Sequence, residues 1–181
     1  GRARCLEAVS DWLKSSRLRT LVFHEHIARA EQHHNALLLK GVRSALEHSG
    51  LAPEERREAA SRFKSDRCQV LVAVKSLDEG IDVPDAAVAV IASGSKSVRQ
   101  RIQRIGRVVR KAEGKSAMVV SILVADTPDE WAIGARERDL LGDKRVRHHQ
   151  WPDMPLPGAL TSDRSTYEPR GQRAGEFNGL E

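Results

Sequence analysis

The residues best suited to chemistry lie between Ser95 and Lys111, where Lys96, Arg99, Arg101, Arg104, Arg107, Arg110 and Lys111 stand with no acid among them. The whole chain carries 30 Lys and Arg against 25 Asp and Glu, a net charge of +5. Without those seven cations the balance turns slightly negative, so the excess is one local feature. A focused basic segment of this kind commonly faces phosphate. Wound as a helix of about 3.6 residues per turn, Ser97 to Arg110 gathers Val98, Ile102, Ile105 and Val109 into one apolar stripe. Gln100, Gln103, Arg107 and Arg110 then share the opposite side. Guanidinium forks match phosphate oxygens two at a time. On charge alone a solvated helix face also explains the pattern, so its neighbours in sequence must decide.

The nearest neighbour is Val70-Leu-Val-Ala-Val-Lys-Ser-Leu-Asp-Glu-Gly-Ile-Asp-Val-Pro84. Its first five residues are continuously apolar, the mark of a strand covered on both faces. The polar loop that follows carries Gly80 and then Asp82, which puts a carboxylate beyond the strand's carboxyl end. In open α/β sheets, ligands bind at that edge. Ala86 to Ala92 and Ala117 to Val124 repeat the buried-strand mark, and Thr20 to Phe23 is a shorter run of strand formers. Helical periodicity covers about 3–16, 27–39, 97–110 and 129–141. Pro53 opens a charged helix over 54–64, where a missing N–H costs nothing in the first turn. Within that helix Glu54, Glu55, Arg56, Arg57 and Glu58 read as a solvated face with pairing three and four residues apart. Val42 to His48 is ambiguous and is assigned a short strand ending at Ser49-Gly50.

Buried strands alternating with helices predict an α/β domain over 1–150, with a mostly parallel central sheet and helices on both faces. From about 151 to 181 the chain is polar and broken by Pro and Gly, which predicts an irregular or disordered tail.

With the elements placed, four segments together resemble the second RecA-like domain of Superfamily 2 helicases and translocases, a three-layer α/β fold. Thr20-Leu-Val-Phe-His-Glu-His26 is similar to motif IV, and His48-Ser49-Gly50 to the short loop after it. Ala73 to Pro84 is similar to motif V and Gln103-Arg-Ile-Gly-Arg-Val-Val-Arg110 to motif VI. The resemblance covers about Thr20 to Val124, and its wording is nearest the DNA-directed branch of repair helicases and restriction-enzyme motors. It implies that Arg107 and Arg110 reach the triphosphate of ATP across a cleft, Arg110 as the arginine finger. Gln103, Gly80 and Asp82 would sit beside the same nucleotide. His24, His26, Ser49, Gly50, Lys75 and Ser76 would line the track of the nucleic-acid backbone. Many relatives carry Thr where Val74 stands, so a hydroxyl contact there passes to Lys75 or Ser76. The implied partners are DNA, with RNA as the other polymer, and an upstream RecA-like domain of the same protein.

That upstream domain is required by what this sequence lacks. A phosphate-cradling loop reads Gly-x-x-x-x-Gly-Lys-[Ser/Thr] and leads into a helix. Gly114-Lys115-Ser116 imitates its end, but Val109 stands where the first glycine belongs and a strand follows. Asp78-Glu79 lies within a loop and is not the acidic pair that holds Mg²⁺. ATP and Mg²⁺ are therefore expected to bind mainly to the missing domain, with this chain inactive by itself. The start at Gly1 in place of Met fits a piece of a longer protein. A degenerate RecA-like module that binds nucleic acid or protein without catalysis is the alternative.

Other features exclude more than they assign. Cys5 and Cys68 are too few for a disulfide framework. His24-Glu25-His26 and His33-His34 lack the further Cys or His that a metal site needs, so no metal is expected. The 181 residues contain no stretch approaching 18 consecutive apolar positions and no apolar N-terminal run before a small-residue cleavage site, so neither a membrane span nor a secretory leader is expected. A cytoplasmic or nucleoid-associated setting is expected, without membrane contact.

Overall fold

A computed structural model describes residues 1–74, 86–92, 118–127, 147 and 149–153. The helices expected over 97–110 and 129–141 and the tail beyond 153 lie outside the described residues. The chain divides into two units, Val9–Ile122 and Gly1–Ala8 with Leu123–Glu181. In the second of these, the Arg4 guanidinium stands 5.8 Å from the centre of the Trp151 ring. There too the Thr127 hydroxyl donates to the Val124 carbonyl at 2.8 Å.

The described elements run α1 (Arg2–Ser16), β1 (Thr20–His24), α2 (Ile27–Leu39), β2 (Ser44–Glu47), α3 (Pro53–Lys64), β3 (Val70–Val74), β4 (Val88–Ile91) and β5 (Met118–Ser121). All five strands join one parallel sheet in the order β2-β3-β1-β4-β5. This is the α/β architecture that the sequence predicts. β1, β3 and β4 are buried along their whole length, as strands with neighbours on both sides and apolar residues at every position must be. Among the described strands β5 stands at one edge, and it is only partly covered. It is shorter than the expected run because only Met118 to Ser121 pairs with β4.

Helix ends follow from local chemistry. At the end of α2, Gly41 takes φ 78, a left-handed conformation that L side chains avoid. The Gly41 and Val42 N–H groups donate to the Leu38 and Leu37 carbonyls, both at 2.9 Å, closing the helix in a Schellman motif. α3 starts on Pro53, with Glu54 and Glu55 in its first turn and Arg62 and Lys64 in its last, matching the helix dipole at both ends. The Glu55 carboxylate also accepts the Ala52 N–H at 2.9 Å. Leu13 of α1, Leu37 of α2 and Phe63 of α3 are fully buried with Leu21, Leu71 and Ile91 of the sheet.

Candidate functional site at the carboxyl edge of the sheet

The register decides which residues meet at one edge. Phe23 of β1 stands beside Ala73 of β3 and Ile91 of β4, and Ala73 in turn beside Glu47 of β2. His24 pairs with Val74, one position further on. The carboxyl ends of β1, β2 and β3 are therefore level, and the segments following β1 and β2 leave from one edge. His24, His26, Ser49 and Gly50 all belong to it. Lys75, Ser76, Gly80, Asp82, Gln103, Arg107 and Arg110 lie outside the described residues.

The His24 ring, which the resemblance assigns to the nucleic-acid track, is turned inward. It is 2% exposed, and its Nε2 shares a hydrogen bond of 2.9 Å with Nδ1 of His33 on α2. His33 is itself buried and continues the chain from Nε2 to the Ser10 hydroxyl of α1 at 3.0 Å. The two rings meet edge to face, 5.2 Å apart. Burial lowers His24 to about 3, helped by the neighbouring His33. Burial likewise lowers His33 to about 4, helped by His34. Both rings are neutral near pH 7, so one can donate where the other accepts. Ser10, His33 and His24 thereby tie α1 and α2 to the end of β1. His24 acts as an anchor of the strand end, and a ring so enclosed offers nothing to a passing phosphate.

His26 stands differently. It is exposed and occupies the position before α2 with extended backbone, φ −120 and ψ 133. Its side chain makes no capping bond, so the imidazole faces outward beside the positive end of a 13-residue helix.

After β2 the chain makes a tight turn, with the Leu51 N–H donating to the His48 carbonyl at 3.1 Å. Ser49 and Gly50 are exposed on it, while His48 is 4% exposed beneath. Below the turn, Glu47 is wholly buried and accepts from Arg56 Nε of α3 at 2.8 Å. The solvated face expected on α3 thus needs correction at one residue. Arg57 pairs with Glu54 at 2.8 Å on the outside as expected, but Arg56 leans in to neutralise Glu47. Nothing in the sequence signals this pair, because a charged residue closing a short strand looks like a loop residue until the sheet covers it. The contact of Ser10 with His33 is hidden for a related reason: the two are 23 positions apart and meet only in the folded chain.

Among the described residues no group of three or more His, Cys, Asp or Glu could hold a metal ion. No described helix is long and apolar enough to cross a membrane.

The geometry has counterparts in known proteins. Residues 3–112 match the helicase conserved C-terminal domain. Over 86 residues the chain is 37% identical to the DNA 3'-5' translocase XPB2 of Sulfurisphaera tokodaii, covering 48% of this chain and 19% of that protein. Over 103 residues it is 34% identical to the DEAD-box ATP-dependent RNA helicase 35B of Oryza sativa subsp. japonica, covering 57% of this chain and 16% of that protein. The chain thus spans less than a fifth of either relative. Among solved structures, the C-terminal domain of the DEAD-box protein Dbp5 has a similar fold. It superposes with a TM-score of 0.64 at 21% identity over 78% of this chain and 80% of that one.

Proposed function

The chain belongs to the helicase conserved C-terminal domain family, as a second RecA-like domain of Superfamily 2, and from that premise we propose that it is the C-terminal motor half of an ATP-dependent DNA helicase or translocase. One observation carries the reading. The stretch matched to the family, residues 3–112, contains both the level strand edge and the segment Gln103 to Arg110. The DNA assignment draws on the likeness to the archaeal DNA translocase, while the likeness to a rice RNA helicase makes RNA the polymer to test against it.

In this reading Arg107 and Arg110 face the triphosphate of ATP held by an upstream RecA-like domain. Arg110 is the finger: its fixed fork meets the negative charge that builds on the phosphoryl oxygens as the bond to the leaving group breaks. Gln103 donates and accepts in the same cleft, and Gly80 and Asp82 border the nucleotide, Asp82 accepting from a ribose hydroxyl. This chain's sequence has no phosphate-cradling loop. In this reading the phosphate cradle and the Mg²⁺ ligands belong to the partner domain. His26, Ser49, Gly50, Lys75 and Ser76 meet the sugar-phosphate backbone, which positions a strand without reading its bases. Closure of the cleft on ATP and reopening after hydrolysis change that grip once per cycle.

The test is ATP hydrolysis by the full-length protein with single-stranded DNA and RNA as separate stimulants. Stimulation by DNA above RNA supports the reading, and stimulation by RNA alone reassigns the polymer. Hydrolysis that neither polymer changes contradicts it.

A further inference from the structure

The turn at Ser49-Gly50 is built on a single side chain. The Gly50 N–H donates to His48 Nδ1 at 3.1 Å, so a neutral His48 ring carries its hydrogen on Nε2. That Nε2 is buried and has no hydrogen-bond partner within reach among the described residues. Oε1 of Glu31 on α2 stands 3.6 Å from it. A carboxylate at that distance favours the tautomer with the proton on Nε2 and thereby keeps Nδ1 free to accept. The His48 carbonyl holds the far side of the same turn through the Leu51 N–H. Glycine is needed at position 50 for space. A Cβ there would lie 3.1 Å from Nδ1 and 3.2 Å from Cε1 of the His48 ring, with Ile27 Cδ1 behind at 3.8 Å. A buried ring, bonded on one edge and faced by a carboxylate on the other, has little room to withdraw.

We propose that His48 is the positioning residue of this turn, its ring fixing Ser49 and Gly50 in the shape in which they meet a phosphate of the bound strand. The inference rests on the reading of this edge as a nucleic-acid track. His48 touches no substrate. It acts through the Gly50 N–H, and Glu31 acts on His48 by setting its tautomer. One charged residue of α2 and one imidazole at the end of β2 thus shape a segment that neither belongs to.

The test uses the full-length protein, with binding of a labelled oligo-dT strand by anisotropy and strand-stimulated ATP hydrolysis as paired readouts. His48→Ala is expected to weaken strand binding roughly 3- to 10-fold, the worth of one lost hydrogen bond. The strand concentration for half-maximal stimulation rises by the same factor, while kcat at saturating strand stays within about threefold. His48→Asn places an amide oxygen about where Nδ1 stands and is expected to restore binding to within about threefold of wild type. Gly50→Ala weakens binding similarly by pressing on the ring. In the double variant the ring is gone, so His48→Ala/Gly50→Ala loses no more than about twofold beyond His48→Ala alone.

Circular dichroism and a thermal melt establish that each variant is folded. Should His48→Ala fail to fold, His48→Asn against Gly50→Ala carries the comparison. A folded His48→Ala that binds like wild type overturns the positioning role, and so do single losses that multiply in the double variant. A wild-type protein that neither binds nor responds to oligo-dT or to oligo-U overturns the nucleic-acid reading itself, and a response to oligo-U alone moves the same comparison of variants to that strand.

Discussion

Acid is expected to dismantle this domain through two buried imidazoles. In the folded chain His24 titrates at about 3 and His33 at about 4, whereas an unfolded histidine titrates near 6.5. The folded values lie below the unfolded one, so the unfolded chain takes up two protons that the folded chain refuses. Stability is therefore fully present above about pH 6.5 and falls as the pH drops toward about 4. Two protons together give a slope of roughly 3 kcal/mol per pH unit, or about 4 kcal/mol lost by pH 5. That is a large share of the roughly 5–15 kcal/mol that holds a domain folded. Burial also lowers His34, which adds to the loss in the same direction. The assay is urea denaturation of the 181-residue chain at a series of pH values, with His33→Leu alongside. The variant has one buried imidazole fewer, so its slope should fall by roughly 1.4 kcal/mol per pH unit. A wild-type stability that stays flat between about pH 6.5 and 5 would refute the reasoning, as would a slope that His33→Leu leaves unchanged.

Three further outcomes follow from the same geometry. Arg56→Ala leaves the buried Glu47 carboxylate without its guanidinium at 2.8 Å, and is expected to cost about 3 kcal/mol in chemical denaturation; a loss under about 1 kcal/mol would show that the pair is unimportant. Gly41→Ala forces an L side chain to φ 78 and is expected to cost roughly 1–2 kcal/mol; an unchanged melting temperature contradicts that strain. Strand binding by the full-length protein should weaken steeply as salt rises, because phosphate contacts release counterions; affinity indifferent to salt points instead to an apolar protein partner.

The parts of the fold that sequence makes legible are those where one physical demand acts alone. β1, β3 and β4 are readable because a strand covered on both faces must be apolar throughout, and Val70-Leu-Val-Ala-Val74 could serve as little else. α3 is readable from Pro53 at its start and from the charge gradient between Glu54 and Lys64. β2 is less so: Ser44-Ala-Leu-Glu47 has no strand signature, and its buried Glu47 makes sense only once Arg56 is beside it. The site divides in the same way. The Gly50 turn is visible in sequence as Ser-Gly before a proline-led helix. The inward rotation of His24 is not, because alternation cannot assign a face in a strand buried on both sides. His33 and Ser10 come from separate helices, and only tertiary packing puts them in line with it.

The central claim is that this chain supplies the arginine finger of a two-domain ATPase. Its most direct test is DNA-stimulated ATP hydrolysis by the full-length protein, wild type beside Arg110→Ala, with nucleotide binding measured in parallel. A fall in kcat of roughly 10³-fold or more, with nucleotide binding largely kept, is the predicted result. Equal hydrolysis by the two proteins would contradict it.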